Sequence, residues 1–455
     1  MKGTFSVLSK MFIPVLLIDY LELAGYLELV VAAGLIVLAI FSFYYFLYFV
    51  ECLKTPKKFE KGKTKYRYAV LIPARNESHV IGNLLASLKK QDYDPAYFDV
   101  YAIVESKDDP TCQIVEEFGY HYIVRTRLEN RKTKGFALQE AIEYLKEQGL
   151  HYDSYMIFDA DNIAEPNFIR LLNDSKNQGY QVSVGYRNFT NSKKNWVSAC
   201  SATLFAYMNQ FTSKGRSAYF EKATLTGTGY YVDADVVEGA GGWIWTGMTE
   251  DVALTTYCYY HNVSMHYYPY AVYYDEQPTS FKVLHKQHIR WIFGYMERKD
   301  KYKSKEPMYH EDHMVRRRIG IMEYNLCIWP LVSFFIFEII AALGYIALFI
   351  LAALQQDPNA GFLWGHMVLQ ISLLYLALCL AGLISVVLDR KHLQFGFWKS
   401  LVVILTYPFF MCDFLFAFFD GLFHKKKRTT WDRIAHSGEI TNEEAKEVED
   451  GKKGR

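Results

Sequence analysis

Tyr68-Ala69-Val70-Leu71-Ile72-Pro73 is a short apolar run that breaks off into polar Ala74-Arg75-Asn76-Glu77-Ser78. Leu84, Leu85 and Leu88 follow at helical spacing, so the segment reads as strand, polar loop and helix. The alternation recurs. Residues 100–105 form a second apolar run followed by Ser106-Lys107-Asp108-Asp109, and residues 155–158 form a third that ends at Asp159. Repetition of this unit predicts an α/β fold with a mainly parallel sheet. Ligands of such sheets gather beyond the carboxyl ends of the strands, where Asn76, Glu77, Glu105, Asp159 and Asp161 all fall.

Upstream, residues 29–50 are apolar and uncharged between Glu28 and Glu51, which matches the ~20 residues needed to cross a bilayer core. The run begins too deep in the chain for a cleavable leader and reads as a membrane helix. Residues 11–26 are also apolar but carry Asp19 and Glu22, which favours an interfacial helix over a second span. Lys54, Lys57, Lys58, Lys61, Lys63, Lys65 and Arg67 follow the span, and such a basic cluster marks the cytoplasmic side. The chain to about His310 is then expected in the cytosol.

Downstream, residues 327–354, 363–388 and 397–423 are each long and apolar enough to span. Between them and the α/β segment, residues 281–322 are aromatic and basic, including Arg316-Arg317-Arg318, and suit helices lying on a bilayer surface. One span plus three would leave Lys425-Lys426-Lys427-Arg428 on the face opposite the α/β segment, yet that run has the character of a cytosolic one. Either residues 397–423, with Pro408 at their middle, form a re-entrant hairpin, or the count of spans differs by one. Residues 438–455 are charged and lack aromatic side chains, as disordered tails do.

Composition narrows the function. The 455 residues carry a net charge of only +1, which gives no overall field to attract nucleic acid. Seven scattered cysteines, odd in number and without a Cys-x-x-Cys pair, give no sign of a disulfide framework or a zinc site. Aromatic residues reach 17%, a proportion suited to flat ligands and to a bilayer interface.

Three polar clusters carry the chemistry. Asp159-Ala160-Asp161 at a strand end places two carboxylates where they can hold a hard divalent cation beside a nucleoside diphosphate, although a solvated loop would look the same. Thr249-Glu250-Asp251 opens a helix. Its acidic residues either cap the helix or provide a carboxylate that takes the proton of an attacking hydroxyl. Gln287-His288-Ile289-Arg290-Trp291 joins an amide, a guanidinium and an indole on about one helical turn. Arg290 can hold a pyrophosphate and Trp291 can carry a sugar ring, or the two can anchor the chain at a membrane surface.

In this order and at these distances, the clusters resemble the family-2 inverting nucleotide-sugar glycosyltransferases. The likeness is greatest to the membrane-bound processive branch of cellulose, hyaluronan, chitin and poly-N-acetylglucosamine synthases, and it covers about residues 68–291. It implies a GT-A-like nucleotide-sugar-binding domain at 53–280. Interfacial and transmembrane helices would precede it at 1–52, and interfacial helices with the Gln-x-x-Arg-Trp motif would follow at 281–325. A transmembrane channel region would occupy 326–424 and a basic cytosolic tail 425–455.

By the same resemblance, Ala74, Asn76, Glu77 and Glu105 line the uridine, Glu105 standing where the family more often has Asp. Lys134, in Lys134-Gly135-Phe136-Ala137-Leu138-Gln139, looks like the lysine near the diphosphate, and Gln139 replaces the usual Asn. Asp159 contacts the nucleotide and, with Asp161, Mg²⁺ or Mn²⁺. Thr226-Gly227-Thr228-Gly229 resembles the loop near the acceptor sugar, or is a tight turn. Asp251 is similar to the general base, with Glu250 beside it. Gln287, Arg290 and Trp291 bind the diphosphate and the acceptor terminus. Trp431, in the basic tail, belongs to a lid over the nucleotide or to a membrane anchor.

The implied partners are a UDP-sugar, a growing polysaccharide or a lipid acceptor, and the bilayer of a bacterial plasma membrane. The implied reaction is a single displacement that inverts the anomeric carbon and feeds a polymer into the channel, with Glu338 and Gln370 as candidate lining residues. Transfer of one sugar to a membrane lipid is the alternative within enzymes. A transporter or receptor with a nucleotide-binding domain leaves Asp251 and Trp291 without a task.

Overall fold

The computed structural model describes residues 20–129, 131–297, 314–326 and 329–424. Eight strands, β1 (Tyr68–Pro73), β2 (Phe98–Val104), β3 (His121–Val124), β4 (Ser154–Ile157), β5 (Ile163–Ala164), β6 (Val182–Phe189), β7 (Tyr230–Asp233) and β8 (Met265–Asp275), form one sheet of order β3-β2-β1-β4-β7-β6-β8-β5. The first four are parallel. β7 runs antiparallel between β4 and β6, β8 is parallel to β6, and β5 is antiparallel to β8. This is the GT-A-like α/β fold anticipated above.

The helices, in chain order, are α1 (Tyr20–Cys52), α2 (Ile81–Lys89), α3 (Thr111–Glu117), α4 (Lys134–Glu147), α5 (Phe168–Asn177), α6 (Trp196–Tyr207), α7 (Arg216–Phe220), α8 (Ala234–Gly239), α9 (Glu250–Tyr260), α10 (Phe281–Glu297), α11 (Met314–Leu326), α12 (Trp329–Leu354), α13 (Ala360–Leu388) and α14 (Phe397–Phe423). A π-helix, Met208–Gly215, joins α6 to α7, and a single turn, Arg390–Leu393, joins α13 to α14.

The unbroken apolar runs of β1 and β2 follow from burial on both faces of the sheet. Tyr68, Val70 and Ile72 pack with Leu84 and Leu85 of α2, Val115 of α3 and Phe168 of α5. Ala69 and Leu71 point the other way, onto Leu138 and Ile142 of α4 and Leu254 of α9. Each such aliphatic side chain, fully buried, contributes about 1.5–3 kcal/mol. Pro269 sits inside β8 where the pairing with β6 slips, Gly185 opposing Tyr268 and Tyr186 opposing Val272. A proline, lacking an N–H, is accommodated at such an irregularity.

Three helical stretches among the described residues are long and apolar enough to cross a membrane: Ile336–Leu354, Ala360–Leu388 and Phe397–Phe423. α14 passes through Pro408 as one helix, so residues 397–423 are not a re-entrant hairpin. α1 likewise runs from Tyr20 to Cys52 without a break. The described part of the expected interfacial helix is therefore continuous with residues 29–50. Glu22 and Glu28 are exposed, and glutamate is a good helix former, so neither interrupts the backbone pattern.

The described chain packs as two units. One comprises residues up to Phe46 with Met322–Leu378; the other comprises Leu47–Ile321 with the chain from Cys379. In the first, α1 approaches α12 closely at glycines: a Cβ on Gly34 would stand 2.8 Å from the Phe337 ring, and one on Gly344 would stand 2.7 Å from Leu27. Glu338 is buried there. In the second, α14 packs with α6 and α10 through Val197, Phe205, Leu284, Val403, Tyr407 and Phe410.

Candidate active site

The turn after β1 is fixed by the start of α3. The Ala74 N–H donates to the Ile103 carbonyl (2.9 Å), the Asn76 N–H to Asp109 Oδ2 (2.8 Å) and the Glu77 N–H to Thr111 Oγ1 (3.1 Å). Asn76 has φ 56°, a left-handed conformation that asparagine adopts more readily than most residues. Glu105, at the end of β2, lies 3.0 Å from Arg75 Nε and 3.8 Å from Arg125 Nη1. Ala74, Asn76, Glu77 and Glu105 thus share one patch beyond β1 and β2.

A second patch forms beyond β4. Asp159 follows that strand, and its N–H donates to Thr228 Oγ1 (2.8 Å) and Asn162 Oδ1 (3.1 Å). Lys134, the first residue of α4, reaches this loop. Its Nζ stands 2.5 Å from Asp159 Oδ1, donates to the Gly227 carbonyl (2.7 Å) and lies 3.6 Å from Glu250 Oε1. Thr133 caps α4 by accepting from the Phe136 N–H (3.3 Å) and also donates to the Thr246 carbonyl (2.7 Å). Gly135 permits that approach, since a Cβ there would fall 2.2 Å from the Trp245 carbonyl oxygen.

Thr226-Gly227-Thr228-Gly229 turns sharply past these groups. Gly227 (φ 92°) and Gly229 (φ 67°) occupy backbone conformations that favour glycine. A Cβ on Gly227 would project into the pocket, 3.8 Å from Asp251 Oδ2 and 3.9 Å from Asp159 Oδ2. Both carboxylates thus converge on this glycine. Asp251 lies in the first turn of α9, and Thr249 precedes the helix without making a side-chain cap.

Burial and mutual repulsion set the electrostatics. Desolvation pushes Glu250 up to about 7; Lys134 opposes the shift, while Asp251 and Asp159 reinforce it. Asp251 is also raised by burial, against the Val252 N–H and Lys134, with Asp159 adding to the rise. Lys134 is held above its usual value because the attraction of Asp159, Glu250 and Asp251 outweighs its own burial. Burial lowers Arg290, while Glu250, Asp159 and Asp251 pull the other way, so its guanidinium belongs to the same cluster.

Arg290 comes from α10, which abuts α9 at Gly294. A Cβ on that glycine would stand 2.4 Å from Thr249 Cγ2. Gln287 and Trp291 of the same helix are half-buried. The Trp291 ring meets Phe205 edge-on, with centroids 5.8 Å apart, so part of its surface is committed to packing. Trp431 and the rest of the basic tail lie outside the described residues, as do residues 298–313.

A buried network behind the pocket carries no sequence motif. Asn162 donates to Asp275 Oδ1 (2.9 Å), Asp275 Oδ2 accepts from Arg187 (2.5 Å), and Arg187 Nη1 donates to the Thr226 carbonyl (2.7 Å). The guanidinium of Arg187 also lies 3.9 Å from the centre of the Phe205 ring. Asp159, Thr226 and Trp291 are thereby tied to one scaffold.

Asp159 and Asp161 supply carboxylate oxygens, the donor type that Mg²⁺ and Mn²⁺ take, and a protein site for such an ion commonly uses one or two carboxylates with substrate phosphates completing the shell. Both side chains are partly exposed toward the pocket loop, so the donor set fits such an ion. Among the described residues no group of three or more His, Cys, Asp or Glu side chains forms a self-sufficient metal site.

Residues 66–294 match the family described as glycosyltransferase like family 2. The chain is 29% identical over 252 residues to the probable glycosyltransferase YdaM of Bacillus subtilis, covering 52% of this chain and 57% of that protein. It is 23% identical over 236 residues to the beta-monoglucosyldiacylglycerol synthase of Trichormus variabilis, covering 50% and 49%. It is 22% identical over 227 residues to a poly-beta-1,6-N-acetyl-D-glucosamine synthase of Staphylococcus epidermidis, covering 49% and 53%. The chain thus spans about half the length of these curated relatives. Among solved structures, a mannosyltransferase of Pyrobaculum calidifontis in complex with GDP-Man and Mn²⁺ shares the fold, with TM-score 0.53 and 13% identity over 88% of this chain and 99% of that one.

Proposed function

Because the chain belongs to glycosyltransferase family 2, we propose that it is a membrane-bound, inverting, UDP-sugar-dependent polysaccharide synthase that adds sugars to the growing end of a β-linked polymer. The observation that carries this reading is the convergence of Asp251 and Asp159 on Gly227, with Lys134 bound to Asp159 and Arg290 within the field of both carboxylates. It offers a base for an incoming hydroxyl and cationic groups for a departing diphosphate within one pocket.

Asp251 takes the proton of the acceptor hydroxyl, and that oxygen attacks the anomeric carbon as the bond to the diphosphate breaks on the opposite face. No covalent sugar on the protein is needed, and an α-linked donor gives a β-linked product. Lys134 and Arg290 stabilise the negative charge that develops on the leaving group. Glu250 holds Lys134 in place. Asp161 and Asp159 would hold a Mg²⁺ or Mn²⁺, whose charge would add to that neutralisation at the diphosphate. Ala74, Asn76, Glu77 and Glu105 receive the uridine, Thr226 to Gly229 border the acceptor sugar, and Gln287 and Trp291 border its terminal end. The apolar helices hold the catalytic unit at the cytosolic face of a bilayer, the side marked by the lysines after Cys52.

The similarity to beta-monoglucosyldiacylglycerol synthases favours a second reading, transfer of one sugar to a membrane lipid. Product size separates the two. Purified protein supplied with UDP-glucose or UDP-N-acetylglucosamine and Mn²⁺ makes a ladder or a high-mass polymer on the first reading. A product that stops at one sugar on lipid overturns it in favour of the second.

A further inference from the structure

α14 is apolar from Phe409 to Phe419 except at Asp413, which is 1% exposed. A carboxylate buried in such a helix is costly unless it is fully paired. Asp413 is paired, and both its partners come from α10. Its Oδ1 lies 2.6 Å from His285 Nδ1 and its Oδ2 lies 2.7 Å from His288 Nδ1. The other nitrogen of His285 lies 3.1 Å from Asp420 Oδ2, about two turns further along the same face of α14. The His288 ring stacks on Phe414 at 3.8 Å between centroids and meets Phe410 edge-on at 5.4 Å. Gly421 admits Phe293 of α10 so closely that a Cβ there would stand 2.1 Å from its ring.

Helical geometry connects this contact to the pocket. His288 precedes Arg290 by two positions, a rotation of about 200° around the α10 axis. With His288 bound to α14, Arg290 is turned to the opposite side, the face that also carries Gly294 four positions on, where α10 meets Thr249 beside Glu250 and Asp251. We infer that Asp413 is a positioning residue: through His288 and His285 it fixes the rotation of α10 and so aims Arg290 at the carboxylate pocket. The inference rests on the proposed transferase reading and deepens it, since it makes the last apolar helix a support of the catalytic constellation.

The test is a kinetic cycle in detergent with UDP-glucose and UDP-N-acetylglucosamine as donors and UDP release as the readout. It compares wild type, Asp413→Leu, Asp413→Asn, Arg290→Ala and the double variant Asp413→Leu/Arg290→Ala. Asp413→Leu is expected to lower kcat about tenfold or more while donor KM changes by less than about threefold. The double variant is expected to be no slower than Arg290→Ala alone, because groups acting as one unit are not additive. Asp413→Asn retains activity within about threefold of wild type, since its amide can accept from His288 and donate to His285. Losses that multiply in the double variant, or wild-type kcat in Asp413→Leu, overturn the inference. If Asp413→Leu is not monodisperse, His288→Phe takes its place in the cycle, keeping the ring stack and deleting the bond, with the same two outcomes decisive. A wild-type protein that releases UDP from neither donor overturns the transferase reading and the positioning role with it. An active wild type with multiplying losses removes the positioning role alone.

Discussion

Glu250 and Asp251 are adjacent in sequence and face the same lysine, yet their roles differ. Glu250 is buried against Lys134, while Asp251 faces Gly227. The Lys134 charge holds Asp251 down against its burial, so removing that charge raises Asp251. Transfer needs Asp251 ionised and therefore falls as pH drops. Lys134→Met should move this acid limb of kcat/KM to higher pH, and a limb that stays in place would separate Lys134 from the base. The stability effect has the opposite sense. A carboxyl raised to about 7 favours the folded state most below its ordinary value, and that contribution is lost as pH rises through about 7. These acids are legible in the sequence because they sit in short motifs of recognisable order. Asn162, Arg187 and Asp275 are not, because the bonds that join Asn162 to Asp275, Arg187 to Asp275 and Arg187 to Thr226 cross 113, 88 and 39 residues of chain, where no local spacing reveals them.

At the scale of elements, the strand, loop and helix units stand out because β1 and β2 are buried on both faces and read as continuous apolar runs. β7 carries no such signal. It is four residues long and antiparallel to both neighbours, and its pairing with β4 is a tertiary choice that periodicity does not encode. The unbroken course of α14 through Pro408 shows the same limit. A proline removes one helical hydrogen bond, but packing on both flanks retains the helix. α10 depends on a close backbone approach at Gly294. Gly294→Ala should push it from Thr249 and destabilise the protein by about 1–3 kcal/mol, as overpacking does, with a larger loss in turnover than in donor binding. Thermal unfolding and steady-state kinetics measure both effects, and unchanged turnover would show that this contact does not position Arg290.

At the scale of the whole molecule, an α/β catalytic unit and helices long and apolar enough to span a bilayer occupy one chain, and the order of motifs along that chain suffices to make the family legible. Which helices pack with the catalytic unit is not legible in the same way. α14 belongs to the same packed unit as the α/β segment, joined by contacts such as Asp413 with His288, which hydrophobicity does not encode. The central claim is that Asp251 is the base of a sugar transfer from a UDP-sugar. The most direct measurement is sugar incorporation by purified wild type and Asp251→Asn, with donor binding followed in the same samples. Asp251→Asn is expected to bind the donor as wild type does and to lose incorporation by roughly 10²–10⁴-fold, the usual contribution of a positioned general base. Incorporation by Asp251→Asn at the wild-type rate would contradict it.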